Sequence, residues 1–410
     1  MYKMLDADQK KQFSEILEEL ARQLDVTQTE FETITKSYEA VGSYLAETDS
    51  LLAYKPSIHP QGSFLLGTVV RPICENDDLD IDLVCELERI PDNWTQYHLK
   101  NVIGDRLKES ERYKKMLDDE GKRCWTLLYG DNKYHLDVLP ALVCEDYYEV
   151  VRKYFSAEVE KNPETLAIHI TDNTREDYTK ETNKNMWMIS NPFGYAQWFL
   201  SLARKSYIQQ RQFSAEAKID PVPRYSADRY VLQRVVQLLK RHRDKMFGGD
   251  EDKPISIIIT TLAARTYEQE RDLFTALRHI ADHMVQNITV KRNEKGEYVK
   301  WIENPVNPTE NFADRWPGTK KEEAFYNWIE KLRKDMDRLE LAAGKGLEAI
   351  KRILDDMFDE KVSAKTYAKY AKDLLEKRKK GNMKIAATGT LGLTGTLKVA
   401  AHSFYGSKEK

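Results

Sequence analysis

The sequence predicts an α+β fold in which a mixed-sheet lobe is followed by a helical lobe, with the functional site in the cleft between them. Short runs of alternating apolar and polar residues, bounded by turn formers, gather between positions 79 and 143. Apolar residues spaced by three and four dominate before position 47 and beyond position 192. A length of 410 residues holds two ordinary domains.

Positions 6–47 read as helical, with Phe13, Ile16, Leu17 and Leu20 on one buried face. Thr27, with Glu30 three residues on, forms a capping-box pattern that starts a second helix. Pro56, Pro60 and Gly62 mark the passage to strands, expected at 79–87, 124–129, 133–143 and 166–171. Gly130, Asp131 and Asn132 supply the turn between the second and third of these. After Asn191-Pro192 helices take over, at 231–246 with Leu232, Val235, Val236 and Leu239 on one side, and at 256–267 behind Pro254. A small hairpin pairs 288–291 with 298–301, and charged helices fill 320–380. The Gly-, Thr- and Ala-rich end has no helical period. The expected organisation is a sheet-containing lobe with N-terminal helices over 1–185, a helical lobe over 186–383 and a flexible tail over 384–410.

Hydrophobic residues at 41% and charged residues at 32% are a soluble globular balance. Lys and Arg total 64 against 67 Asp and Glu, a formal net charge of −3. Proteins that grip long nucleic acid carry a positive excess, because phosphate neutralisation supplies most of that affinity. Activation by DNA is therefore not expected, and a small anionic substrate carried with its own metal ions fits better. Cys74, Cys85, Cys124 and Cys144 form no C-x-x-C pair, so reduced thiols are expected and zinc is not. The N-terminal MYKMLDADQKKQFSE carries charge where a signal peptide needs an apolar run. No stretch approaches the roughly 18 apolar residues of a membrane span, so a cytoplasmic protein is expected.

In the strand at 79–87, Asp80 and Asp82 alternate with Leu79, Ile81, Leu83 and Cys85, so both carboxylates share the face turned away from the core. Two carboxylates this close repel unless a cation lies between them, and oxygen ligands suit magnesium. Asp137 sits in another strand, with Leu136 and Val138 on the opposite face. If the two strands are neighbours, Asp137 joins the pair in the cluster that two-metal phosphoryl transfer requires. At this acidity about eleven acidic-x-acidic triplets arise by chance, so the triplet alone also reads as a solvated strand face. Upstream, Gln61-Gly62-Ser63 precedes an apolar run that can begin a helix. Gly62 permits close backbone approach, Ser63 brings a hydroxyl, and exposed amides at such a turn attract phosphate. Gly-Ser followed seventeen residues later by Asp-x-Asp on a strand, then by a third strand aspartate, is a far more specific pattern.

At these residues the chain resembles the polymerase β-like nucleotidyltransferases and, more narrowly, the cGAS/DncV-like nucleotidyltransferases of bacterial CBASS anti-phage signalling. QGSFLLGTVVRP, DLDIDLV and YHLDVLP carry the chemistry. WMISNPFGYAQWF, VVQLLKRHRD, KPISIIITTLAA and NPVNPTENFADRW point to the subgroup. The resemblance implies synthesis of a cyclic di- or trinucleotide from nucleoside triphosphates (ATP or GTP, with CTP and UTP also open), with pyrophosphate released. It implies two Mg2+ ions, or Mn2+ in their place, on Asp80, Asp82 and Asp137. It further implies that Lys240 and Ser256, together with Gln61, Gly62 and Ser63, hold the nucleotide. Without the family, Lys240 reads as a solvated helix residue and Ser256 as part of a helix start. No His/Cys cluster matches the zinc insertion of the animal DNA sensors. Trp187, Phe193, Tyr195 and Trp198 include candidates for base stacking, although core packing explains most of them. The end, HSFYG from His402 to Gly406, resembles C-termini joined to other molecules by a ubiquitin-transfer-like partner. Two alternatives remain open: a linear oligonucleotide or RNA-tailing transferase, and a catalytically inactive nucleotide-binding scaffold.

Overall fold

The computed structural model describes residues 5–47, 49–73, 79–130, 134–144, 167–204, 228–293, 296–385, 391–392 and 397–399. Asp6 and Thr27 each close a capping box, with Gln9 and Glu30, and start the helices Ala7–Gln23 and Gln28–Ala46. Each side-chain oxygen satisfies an amide that the first helical turn leaves unpaired. The chain then divides into two compact units, Val26–Asp228 with Glu303–Asn311, and Met1–Asp25 with Arg229–Ile302 and Phe312–Lys410.

The first unit is built on a mixed sheet of β1 (Pro56–Pro60), β2 (Leu79–Leu87), β3 (Trp125–Tyr129), β4 (Tyr134–Val143), β5 (Ile168–Ile170) and β6 (Met188–Ser190), in the order β1-β2-β4-β5-β6 with β3 also on β4. Only β2 and β4 run parallel among the paired strands of this sheet described here. Parallel neighbours need a long crossover, and the helix Gln96–Glu109 lies in the intervening stretch. One sheet face buries Ile81, Leu83, Cys85 and Leu87 of β2 with Leu136 and Val138 of β4. Ile34, Tyr38, Val41 and Leu45 from one helix and Leu99, Ile103 and Leu107 from the other cover that face. On the opposite face the far ends of the strands are covered too: Val84, Leu139, Ala141, Ile168 and Ile170 form a smaller core. The near ends there carry the aspartates. In the crossover helix Gly104 is forced by packing, since a Cβ would lie 2.8 Å from Nε1 of Trp125. That indole donates to the Lys100 carbonyl at 2.9 Å and so ties β3 to the helix.

The second unit is helical, around Val231–Phe247, whose residues from Leu232 through Arg243 are all buried. Phe13 of the helix Ala7–Gln23 stacks on Phe274 with ring centroids 5.0 Å apart. Asp25 accepts from Arg229 (3.0 Å), Arg234 (2.8 Å) and Gln237 (2.8 Å). These contacts place the first helix with the late ones, and Pro192–Ala203 falls in the sheet unit, whereas the sequence reading divided the chain at 185/186. Periodicity reveals an apolar face but not the partner that covers it. Ser256–Thr266, Leu273–His283, Lys321–Leu341, Leu347–Met357 and Glu360–Lys379 complete the bundle. A deep polar cluster joins two of its helices: Trp328 Nε1 donates to His242 Nδ1 at 3.0 Å, and His242 Nε2 lies 3.1 Å from Asp335 Oδ2.

The hairpin Thr289–Arg292 with Tyr298–Trp301 forms as expected. The turn residues Asp131 and Asn132 lie outside the described residues. So do Cys74 and His402–Gly406, which removes the proposed conjugation end from view. The segment from 384, expected as a flexible tail, begins instead as a small sheet: Lys384–Ile385 pairs with Leu391–Gly392 and with Leu397–Lys398. The threonines and the leucines between them suit short strands, while the glycines keep those strands short. Among the described residues no helix is long and apolar enough to cross a membrane. Cys85 is buried, Cys124 and Cys144 are partly buried, and all three are unbridged.

Candidate active site

β2 and β4 are in parallel register, with Asp82 opposite Asp137 and Asp80 opposite His135. Partners in such a ladder share a face, so the three aspartates and the imidazole emerge on the side away from the larger core. β1 runs antiparallel to β2 and ends at Pro60, opposite Leu83. The next residue, Gln61, donates its amide to the Asp82 carbonyl at 3.1 Å, which pins the Gly-Ser turn to the middle of the acidic strand. Gln61 caps the short helix Gly62–Leu66, closed by Gly67 in the left-handed region. Ser63 is the second residue of that helix, and its carbonyl accepts from the Thr68 amide at 2.9 Å.

Gly62 has φ +62°, and a Cβ there would lie 2.8 Å from Cγ of Asp82 and closer still to Oδ2. Both facts require glycine: the backbone is left-handed, and the Asp82 carboxylate fills the space a side chain would need. The turn residues and the acidic strand are thus one constellation.

The aspartates differ in their surroundings. Asp80 is the outermost, with its side chain 72% exposed, and its Oδ1 lies 2.5 Å from Nε2 of His135. Asp137 is more enclosed and accepts from Thr126 Oγ1 at 2.6 Å. Burial pushes the Asp137 carboxyl above its ordinary value; the Thr126 hydrogen bond and His135 oppose this, and the charges of Asp80 and Asp118 add to it. Cys124 stands close enough that burial, followed by the charges of Asp137 and Asp82, lifts its thiol to about 12, so without a metal it stays protonated and is no nucleophile at neutral pH.

Among the described residues, no three His, Cys, Asp or Glu side chains are grouped tightly enough to hold a metal ion. The backbone brings the aspartates together, while His135 and Thr126 engage two of their carboxylates. The set fits a hard divalent cation nonetheless. Its ligands are all oxygen, and a carboxyl disfavoured in its charged form by burial and by a neighbouring carboxylate gains most from a cation. His135 and Thr126 escaped the sequence reading, because only strand register shows them touching the aspartates.

Lys240 and Ser256 belong to the helical unit. Lys240 is buried on Val231–Phe247, and Ser256 is the first residue of Ser256–Thr266. Arg243 links the two helices, donating from Nη1 to the Pro254 carbonyl at 2.9 Å and to Ser256 Oγ at 3.1 Å. Of the aromatic candidates, Trp187 is in the main core, Phe193 packs against the smaller core, and Tyr195 lies against Trp198 with centroids 5.4 Å apart.

Residues 10–162 match the family model of the Second Messenger Oligonucleotide or Dinucleotide Synthetase domain, SMODS. The chain is 29% identical over 413 residues to the c-di-GMP synthase of Roseivirga ehrenbergii, covering 98% of this chain and 100% of that relative. Among solved structures, the CD-NTase CdnG of Bradyrhizobium diazoefficiens in complex with GTP is similar with a TM-score of 0.62 at 21% identity, covering 88% of this chain and 99% of that one. The Vibrio cholerae DncV cyclic AMP-GMP synthase, bound to a linear intermediate, follows with a TM-score of 0.52 at 16% identity over 87% of this chain and 88% of its own. These two likenesses concern the fold.

Proposed function

We infer that the chain belongs to the cGAS/DncV-like nucleotidyltransferases, and from that premise we propose that it condenses nucleoside triphosphates into a cyclic dinucleotide, releasing pyrophosphate. The observation that carries this reading is the parallel register of Asp82 with Asp137, with Gly62 closed against the Asp82 carboxylate. GTP is the first substrate to test, since the full-length relative is named a c-di-GMP synthase and the CdnG structure holds GTP. The setting we propose is anti-phage signalling in the cytoplasm, where the triphosphates are available.

Asp80 and Asp82 would hold two divalent cations, Mg2+ or Mn2+, with Asp137 sharing the one beside the attacking hydroxyl. Cations held there would supply neutralisation of the triphosphate charge and a lowered pKa for the attacking hydroxyl. The protein's own part is positional. Asp82 is backed by Gly62, so its carboxylate has little room to retreat. Asp137, held by Thr126 through one oxygen and opposite Asp82 in the ladder, is assigned to take the hydroxyl proton. Asp80 must rotate away from His135 to join them. The amides of the Gly62-Ser63 turn, with Lys240 and Ser256, are assigned to the triphosphate.

The test is purified protein with Mg2+ and labelled ATP, GTP, CTP and UTP, with products resolved by mass spectrometry. A phosphatase-resistant cyclic product containing guanine is expected, and Asp82→Asn, which removes a ligand at nearly constant volume, should abolish it while leaving the fold intact. Open-chain products, or activity only with an RNA acceptor, would identify a linear transferase instead. Full activity of Asp82→Asn would remove the assigned site.

A further inference from the structure

We propose that Thr126 is a positioning residue for catalysis, its hydroxyl fixing which oxygen of Asp137 faces the metal and the attacking hydroxyl. This rests on the nucleotidyltransferase reading above. Thr126 lies directly opposite Asp137 in the β3–β4 ladder and donates from Oγ1 to Asp137 Oδ1 at 2.6 Å. A carboxylate on a strand otherwise turns about its terminal torsion, which is broad and nearly two-fold. One hydroxyl on Oδ1 removes that freedom and leaves Oδ2 for the reaction.

The donor is itself held. Trp125 and Leu127 on either side are buried, and Trp125 is anchored through its indole to the Lys100 carbonyl at 2.9 Å. The Thr126 carbonyl accepts from the Asp118 amide at 3.0 Å, and Leu117 bridges to Leu127. β-branching adds a stiff first torsion to this fixed backbone. Lys100 is fully buried, with its ammonium on the carbonyls of Gly121 and Lys122 and on Glu120. It thereby clamps the loop that leads into β3, and the path from crossover helix to Asp137 is continuous. Outer-shell donors of this kind typically change metal affinity or activity by about 10–100-fold when lost.

Three variants test the role. Thr126→Val keeps the shape and loses the hydroxyl, Thr126→Ser keeps the hydroxyl and loses the methyl, and Thr126→Ala loses both. Mn2+ alone is titrated into each and followed by electron paramagnetic resonance, and kcat and KM are measured separately with Mg2+ and GTP. Thr126→Val and Thr126→Ala are expected to weaken Mn2+ binding or lower kcat by about 10–100-fold, with KM for GTP nearly unchanged. Thr126→Ser is expected within about threefold of the parent, a difference small beside that range. A Thr126→Val protein with parental Mn2+ affinity and kcat would overturn the proposal. So would a Thr126→Ser protein as impaired as Thr126→Ala, since packing of the methyl would then be the cause. If Thr126→Val does not fold, as judged by circular dichroism, the comparison of Ser with Ala decides alone. A parent that takes up no Mn2+ would sink the metal-site reading itself, whereas normal uptake by the parent together with parental uptake and kcat in every variant would sink only the role of Thr126.

Discussion

Replacing Gly62 by alanine separates the geometry of the site from the stability of the fold. At φ +62° an L-residue is strained by about 1–2 kcal/mol. Stiffening the unfolded chain returns about 0.4–1 kcal/mol, so the net loss of stability is near 1 kcal/mol. The steric effect is more severe. The new Cβ would stand 2.8 Å from Asp82 Cγ and nearer to Oδ2, whereas carbon contacts settle at about 3.5–4.0 Å. The carboxylate must therefore retreat by about 1 Å, a displacement that can cost about 100-fold in rate, or roughly 2.7 kcal/mol of barrier. The assay pairs the initial rate of cyclic product formation with a denaturant titration on the same preparation. Gly248→Ala supplies the control, because Gly248 is also left-handed, at φ +56°, but a Cβ there meets nothing within 4 Å. Similar stability losses with a rate loss confined to Gly62→Ala are expected. A Gly62→Ala enzyme within about threefold of the parent rate, far from the expected 100-fold, would refute the argument, as would equal rate losses in both variants.

Three further outcomes follow from the electrostatics. Burial and the Asp80 charge raise the Asp137 carboxyl above its ordinary value. Its contribution to stability is therefore greatest below the unfolded pKa and declines as pH rises through the folded one. Asp137→Asn should be inactive yet should lack that decline, so its stability advantage over the metal-free parent grows from about pH 4 upward. A constant difference across that range, read from urea midpoints, would contradict the assignment. Adding Mg2+ should narrow the gap, because a cation stabilises only the parent's carboxylate. In the helical unit burial would raise Asp335, but hydrogen bonds from His242 and Lys331 outweigh it and hold the carboxyl at about 2. Stability from this group is present above the ordinary carboxylate range and lost as pH falls toward that value. Asp335→Ala, which leaves the buried N–H of His242 without its acceptor, should cost about 2 kcal/mol at neutral pH, with the deficit shrinking in acid.

Much of the architecture was legible because each signal was local. The alternation in Leu79–Leu87 announced one carboxylate face, and Thr27 with Glu30 announced a helix start. The crossover helix Gln96–Glu109 was overlooked for a physical reason. Its buried stripe includes Lys100 and Gly104, where an apolar pattern would require larger apolar side chains. Lys100 is there to clamp carbonyls and Gly104 to admit the Trp125 ring, both non-local demands. The site divides in the same way. Asp80, Asp82 and Asp137 could be nominated from pattern and resemblance, but His135 and Thr126 gain meaning only across strands. One clue was available: pairing Asp82 with Asp137 fixes an offset of 55 residues, and the same offset sets His135 opposite Asp80.

The parallel pairing of β2 with β4 has a consequence for how such a protein tolerates change. The two acidic strands are joined by a lengthy excursion rather than a tight hairpin, so residues can be added or removed in its loops, outside Gln96–Glu109 and β3, at little entropic cost. Phase within β4 has no such tolerance. Sliding that strand by one position would present Leu136 or Val138 to Asp82 and bury Asp137 among apolar side chains. Natural variation and engineered insertions should therefore accumulate in the loops of the excursion, and single-residue indels inside the strand should be lethal to the chemistry.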